Sequence, residues 1–346
     1  MSAEVAYVTH PDCRLHDPGP GHPERPQRLD AIEQALEALP PADLPRMTTE
    51  PADEDALASV HSRGYIRRVR TLAEEGGGAL DADTVLSRDS FRAARAAAGA
   101  ARAAVEAVLQ GRARAAFAAV RPPGHHALPD RGMGFCLFNN VALAAMRALD
   151  AGLPRVAIVD WDVHHGNGTQ EIFYRDARVL VISLHQEEWY PGTGAVEETG
   201  EGDGVGWTVN IPLPPGTGDG GYRVVFEEVV IPLLQEAAPS LVLISAGYDA
   251  AVGDPLGRMR LTARGFWMMA DLIRQARPDR GGVVAVLEGG YDLEALGQGV
   301  RATVQALAGQ PARVAGPERE LDEVPYAAIR SRVRQVRSVV REHWTI

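Results

Sequence analysis

Lysine is missing from this 346-residue chain, and all 35 of its basic residues are arginine. The simplest reading is the compositional bias of GC-rich coding; the other is immunity to acylation of its own side chains. Cysteine is scarce too. Cys13 and Cys136 alone exclude a disulfide framework and a Cys-rich zinc site, which points to a reducing compartment. No apolar run reaches the roughly 18 residues of a membrane span, and the N-terminal residues carry no charged-then-apolar leader, so a cytoplasmic location is expected. The net charge of −11 argues against a general binder of nucleic acid or of anionic membranes. Internal repeats, coiled-coil heptads and low-complexity tracts are absent as well. What is present is an ordinary globular composition, 45% hydrophobic and 23% charged, with enough chain for one large α/β domain. One domain over residues 1–346 is expected, with association between copies of the chain left open.

Apolar runs alternate with amphipathic stretches. Strands are expected over residues 3–10, 116–120, 156–160, 179–185, 207–213, 241–245 and 283–287, from short apolar runs bounded by turn residues. Helices are expected from about Pro26, over 54–74, 91–110, 139–149, 166–174, 222–236 and 265–276, from helical spacing and from capping by Asn139. Residues 76–84 read as a Gly/Asp-rich loop, and 186–206 as a long polar loop of the kind that usually carries function. The chain ends in an Arg-rich amphipathic helix, read as a solvated face. The alternation predicts an α/β fold: a doubly wound, mostly parallel sheet with helices on both faces.

The chemistry concentrates after strands. In VAIVDWDVHH (156–165) an apolar run gives way to acid and imidazole. If the extended conformation continued, Asp160, Asp162 and His164 would project from one face. In an open α/β sheet, ligands bind at the carboxyl ends of strands. With Asp249, after the strand at 241–245, Asp162 and His164 form a candidate ligand set of two carboxylates and one imidazole. That set suits zinc or iron(II) and leaves a coordination position open. His125 and His126 follow another strand and can serve as base and acid. A lone histidine is more often a satisfied core residue, but an adjacent pair beside an acid row favours catalysis. Asp160 and Asn167 are candidate orienting partners for these imidazoles. Tyr291, after the paired Gly289 and Gly290, is a candidate oxyanion donor.

RPPGHHA, GMGFCLFNN, VDWDVHHGNGTQEIFY, SLHQ, PGTGA, SAGYDAAVGDPLGRM and LEGGYDL, with GHPERPQRL upstream, closely resemble the histone deacetylase family, particularly its class II-like bacterial amidohydrolases. The resemblance covers about residues 1–310, leaving 311–346 as a C-terminal helical extension. It implies the arginase–deacetylase fold, a single α/β domain with an eight-stranded parallel sheet. It also implies metal-dependent removal of acyl groups from amines. By position, Asp162, His164 and Asp249 match the family's zinc ligands. His125 and His126 match its tandem histidines, the second being the main general base and acid, and Tyr291 its transition-state tyrosine. Gly134, Phe135 and Tyr190 match the acyl-lysine tunnel, with Tyr in place of the usual Phe and Trp189 beside it. The family's structural potassium site falls on Asp160, Asp162, His164, Ser183 and Leu184, and a second on Phe173, Asp176, Val179 and Trp207. Asp83, or Asp81, matches the rim acid that grips substrate backbone, and Arg28 the inner acetate-exit cavity. Gly289 and Gly290 count with the substrate-binding residues.

The bland alternatives are buried polar groups satisfied by backbone for Asp160 and Ser183, core packing for Phe135 and Tyr190, and packing for Cys136. The expected substrate is an acyl-lysine protein or peptide. The alternative is an acetylated polyamine: polyamine-selective relatives carry an acidic gatekeeper where this chain has Leu256, although Glu187, Glu188 and the EETGEGD run offer other acids. A non-catalytic sensor of acyl-lysine or carboxylate is the alternative of another class, and retention of Tyr291 speaks against it. An arginase-like manganese enzyme would need a two-metal ligand set that the sequence does not offer.

Overall fold

The computed structural model describes residues 3–40, 44–276, 281–313 and 322–346. The chain opens with β1 (Ala3–Val8), α1 (Gln27–Leu36) and the two-residue β2 (Arg46–Met47). Next come α2 (Glu54–Leu57), α3 (Arg63–Glu74), β3 (Gly77–Ala79), β4 (Val85–Ser87), α4 (Ser90–Leu109) and β5 (Ala113–Ala118). The middle of the chain supplies α5 (Asn140–Asp150), β6 (Val156–Asp160), α6 (Asn167–Phe173), β7 (Val179–Gln186) and β8 (Thr208–Leu213). After that α7 (Asp219–Val225) passes through a π turn (Phe226–Val230) into α8 (Ile231–Ala237). The last elements are β9 (Leu241–Ala246), α9 (Ala263–Ala276), β10 (Gly282–Leu287), α10 (Leu293–Leu307) and α11 (Tyr326–Val340).

Eight strands make one sheet in the order β2-β1-β5-β10-β9-β6-β7-β8, and every pairing in it is parallel. This is the expected single α/β domain. Its strands β6, β7, β8, β9 and β10 are buried along their whole length, as a sheet covered by helices on both faces requires. The long α4 is rich in alanine, whose small side chains let it lie close against β5, β1 and α5. Local capping starts the helices where the sequence allows. Ser62 accepts from the Tyr65 N–H, Asn139 from Ala142 and Asp292 from Ala295.

Three expectations need correction. The expected loop at 76–84 contributes to a small antiparallel hairpin, β3 with β4. The expected helix over 54–74 is two helices, because the Ser62 cap restarts the turn. The C-terminal helix is solvated on one side only. Ile329, Val333, Val336 and Val340 join the main core, while Arg332 pairs with Glu187, and Arg330 and Arg337 with Glu228. Of the expected extension, residues 314–321 lie outside the described residues.

Candidate active site

Four neighbouring strands, β5, β10, β9 and β6, deliver the residues that matter. Register aligns their exits: Asp160 of β6 lies beside Ser245 of β9, and Leu287 of β10 beside Ala246. Beyond β6 the chain does not stay extended. Asp160 Oδ1 accepts from the Asp162 N–H (3.1 Å) and Asp162 Oδ1 from the His164 N–H (3.0 Å), and these side-chain turns coil the segment. The single row anticipated from strand periodicity therefore splits in two: Asp160 faces His125, while Asp162 and His164 face Asp249.

One ligand atom from each of Asp162, His164 and Asp249 lies within 4.8 Å of the others, and all three side chains are buried. His164 Nδ1 is 3.1 Å from Asp162 Oδ1 and 3.2 Å from Asp249 Oδ2. Ligands about 2.0 Å from a tetrahedral ion stand about 3.3 Å apart, so these separations fit one. The charges fit as well. Burial and the neighbouring Asp162 charge push the Asp249 carboxyl up to about 7. Burial also opposes ionisation of Asp162, but His125 and His164 hold it well below the usual carboxylate range. Burial would lower His164, yet the two carboxylates raise it to about 10. Even so, Asp249 Oδ2 receives no hydrogen bond among the described residues. The cluster is short of positive charge, which a divalent cation would supply.

His125 and His126 follow β5. His125 Nδ1 donates to Asp160 Oδ2 (2.9 Å) and His126 Nδ1 to Asn167 Oδ1 (2.7 Å). Both expected orienting pairs form. Their electrostatics diverge. Burial alone would lower His125, but Asp162, Asp160 and Glu288 raise it well above the ordinary value. Burial, His125 and His164 lower His126 well below it.

Tyr291 leaves β10 through Glu288-Gly289-Gly290. Gly289 is packed against the ligands: a Cβ there would lie 2.1 Å from Asp249 Oδ2 and 2.6 Å from Asp162 Oδ2, so only glycine fits. Its N–H donates to Asp162 Oδ2 (2.9 Å). Gly289 and Gly290 are thus structural contacts of this turn and do not line the pocket. Asp254 accepts from the Tyr291 and Asp292 N–H groups (2.7 and 3.0 Å). Burial pushes the Tyr291 phenol well above its usual pKa. Arg28 is wholly buried behind the ring, 5.0 Å from its centroid, with Nε on the Gly290 carbonyl (2.7 Å) and Nη2 on that of Glu288.

A pocket of about 250 Å³ opens above this floor. His126, His164 and Tyr291 lie at its base; Gly134, Phe135 and Tyr190 form walls; Asp83, Trp189, Pro255 and Leu256 complete the lining. The Phe135 and Tyr291 rings meet edge to face at 5.8 Å, as do Tyr190 and His126 at 5.2 Å. Gly134 has φ +56°, and a Cβ there would lie 2.4 Å from the His126 ring; a side chain would fill the neck. Trp189 is fixed by Nε1 donating to the Leu256 carbonyl (2.9 Å), with Arg258 over its ring. Of the two rim acids, Asp83 reaches the pocket and accepts from the Gly134 N–H (3.2 Å), while Asp81 accepts from the Asp83 N–H.

Around the coiled exit, Asp160 is in register with Ser183 on β7, next to Leu184, and all are buried. Phe173, Asp176, Val179 and Trp207 cluster at the start of β7. There the carbonyls of Phe173, Asp176 and Trp207 each accept one backbone N–H, and the Asp176 carboxylate is engaged by Arg178. Sequence reading passed over Glu288 and Asp254. Glu288 carries the same signal that singled out Asp160, an acid at the end of a buried apolar strand.

The histone deacetylase domain model matches residues 22–307. A probable deacetylase of Archaeoglobus fulgidus is 45% identical, over 84% of this chain and 82% of the relative. A histone deacetylase-like amidohydrolase of Pseudomonas aeruginosa is 40% identical, over 97% of this chain and 94% of the relative. Among solved structures, the crystal structure of the HDA15 HD domain superposes with a TM-score of 0.91 at 37% identity, over 99% of this chain and 96% of that one. With the fold, the pocket and these matches in agreement, the chain belongs to the histone deacetylase family.

Proposed function

We propose that this chain is a zinc-dependent amidohydrolase that removes acetyl or other acyl groups from lysine side chains. The observation that carries the reading is the pocket itself, an aromatic neck ending on a buried Asp-His-Asp set with His126 and Tyr291 beside it. A zinc ion held by Asp162, His164 and Asp249 would lower the pKa of a water and polarise the amide carbonyl, and iron(II) suits the same donors. His126 donates its Nδ1–H to Asn167, which leaves Nε2 free, and the lowered pKa keeps that nitrogen unprotonated. It takes the proton of the attacking water and returns it to the departing amine. His125, raised by Asp160 and its neighbours, supplies positive charge beside the reacting carbonyl. Tyr291, kept protonated by burial, donates to the oxyanion. Gly134, Phe135 and Tyr190 enclose the methylene chain of the substrate, and Asp83 stands at the mouth to accept from its backbone. Potassium on Asp160, Asp162, His164, Ser183 and Leu184 belongs to the same reading as a structural ion, as does a second on Phe173, Asp176, Val179 and Trp207.

Acyl-lysine is favoured over acetylated polyamine because an apolar residue, Leu256, stands where polyamine-selective relatives carry a gatekeeping acid. Leu256 lines the pocket. Of the other acids nearby, Glu187 pairs with Arg332, Glu201 with Arg175, and Glu198 accepts from Gly194 and Ala195 N–H groups, while Glu188 is exposed beside Trp189. The test is a steady-state comparison of zinc-loaded enzyme on acetyl-lysine peptides and on acetylated putrescine and spermidine, with a chelated control. Higher kcat/KM on peptide supports the reading, and preference for polyamine overturns the substrate. No metal-dependent turnover on either favours the sensor alternative.

A further inference from the structure

Glu288, at the exit of β10, is an acid that the mechanism above leaves without work. Its side chain is fully buried. Oε2 accepts from the N–H groups of Gly124 (2.7 Å) and His125 (3.0 Å), and Oε1 has no hydrogen-bond partner among the described residues. Every hydrogen bond this carboxylate makes therefore goes to the turn that carries the tandem histidines. The rest of the residue is equally well anchored. Its N–H donates to the Ala246 carbonyl at the end of β9 (3.0 Å), its carbonyl accepts from Arg28, and the next residue donates to Asp162. One residue thus links the β10 exit, a metal-ligand candidate and the histidine turn. Asn140 also holds that turn, by donating to the Pro122 carbonyl (3.0 Å). Taking a carboxylate out of water costs several kcal/mol, so two backbone donors in need of partners do not by themselves account for a glutamate here.

We propose that Glu288 is a positioning residue: by gripping the Gly124 and His125 amides from the β10 exit, it fixes the tandem-histidine turn relative to the Asp162, His164 and Asp249 cluster. The proposal rests on the reading of His126 as the proton-transfer group. Displacing a catalytic group by about 1 Å can cost roughly a hundredfold in rate. In metal-loaded full-length protein, Glu288→Ala is therefore expected to lower kcat about a hundredfold with KM and metal content unchanged. Glu288→Gln keeps an acceptor at the same reach and restores most of the rate. Glu288→Asp keeps the charge but stops one methylene short, and behaves like the alanine variant. An effect through charge alone gives the opposite order, Asp above Gln; that order, or a rise in KM at unchanged kcat, overturns the proposal. If Glu288→Ala does not fold, the Gln and Asp variants still decide between the two orders.

A second readout is independent of turnover. With selective 15N labelling of glycine and histidine, the Gly124 and His125 amide protons should be shifted downfield and slow to exchange. Wild type and Glu288→Gln should share this signature, and Glu288→Asp should lose it. Unchanged amide signals in the Asp variant overturn the positioning role. Intact amide signatures in a wild-type protein without amidohydrolase activity would instead overturn the proposed function and leave the grip of Glu288 standing.

Discussion

Two clusters of buried charge flank the Tyr291 turn, and burial acts on them in the same way with opposite results. In the first, Glu24 is fully buried between Arg121 and Arg28, with His16 3.5 Å away. Arg121 grips both carboxylate oxygens and spends its other donors on the Cys13 and His16 carbonyls. Burial would raise the Glu24 pKa, but Arg121, His16 and Arg28 hold it at about 2. In the second, Asp162 and Asp249 share one imidazole, one carboxyl is driven up to about 7, and one oxygen is left without a hydrogen. The first cluster is closed on its own charges and the second is open. A closed network holds a fold together, while one short of counter-charge at the floor of a pocket suits a cation supplied from outside. Arg28 connects them, with one nitrogen on Glu24 and another on the Gly290 carbonyl.

The strongest way to break this contrast is to neutralise one acid in each cluster. Asp249→Asn should reduce amide hydrolysis to background and abolish the stabilisation by zinc, about 4 kcal/mol at a thousandfold excess over Kd. The metal-free variant should be no less stable than metal-free wild type at neutral pH, because the substitution removes a conflict between like charges. Thermal melts with and without zinc check both halves. Glu24→Gln should do the reverse. It leaves two buried guanidiniums undercompensated and should cost about 3–5 kcal/mol in urea unfolding, with or without metal. Equal losses in the two metal-free variants would abolish the distinction between open and closed.

Tyr291 sits between the clusters and tests whether the open one is catalytic. Tyr291→Phe keeps the ring against Arg28 and Phe135 but removes the hydroxyl. Zinc content and melting temperature should stay at wild-type values while kcat falls at least about a hundredfold, the loss expected for an oxyanion donor. Near-normal turnover would remove Tyr291 from the mechanism.

The open cluster was legible in the sequence, and the closed one was not. Asp162, His164, Asp249, the His125–His126 pair and Tyr291 each follow a short apolar run, and the rule that ligands bind at strand carboxyl ends gathers them before any coordinates are known. The contacts of Glu24, Arg28 and Arg121 join positions up to 262 residues apart, and no periodicity in PGPGHPERP announces them. The coiled exit after Asp160 was misjudged because strand alternation was extended into residues whose own carboxylates turn the backbone. The two-residue β2 is too short, and the β3–β4 hairpin too short and too rich in glycine at β3, to leave a pattern. On the C-terminal helix the apolar stripe Ile329, Val333, Val336 and Val340 was present at helical spacing, but arginine dominated its reading.

A buried titratable group that belongs to neither cluster sharpens the comparison in pH. His61 is 2% exposed; its Nδ1 donates to the Leu128 carbonyl (2.9 Å) and its Nε2 accepts from the Asn139 N–H (2.9 Å). That pair of bonds admits only the neutral ring, because a second ring proton would face the Asn139 N–H. Burial, with no carboxylate to oppose it, lowers the pKa to about 4. The folded value lies below the unfolded one near 6.5, so the unfolded chain takes up the proton first. The stability from His61 is complete above about pH 6.5, declines through the window down to about pH 4, and has fallen by about 2 kcal/mol at pH 5. Glutamine can supply one donor and one acceptor without titrating. The stability gap between wild type and His61→Gln should therefore narrow by about 2 kcal/mol between pH 7 and pH 5, as measured by urea unfolding at each pH. A gap that does not change with pH would mean that the ring stays accessible to protons in the folded state, and that burial alone does not exclude charge in this molecule.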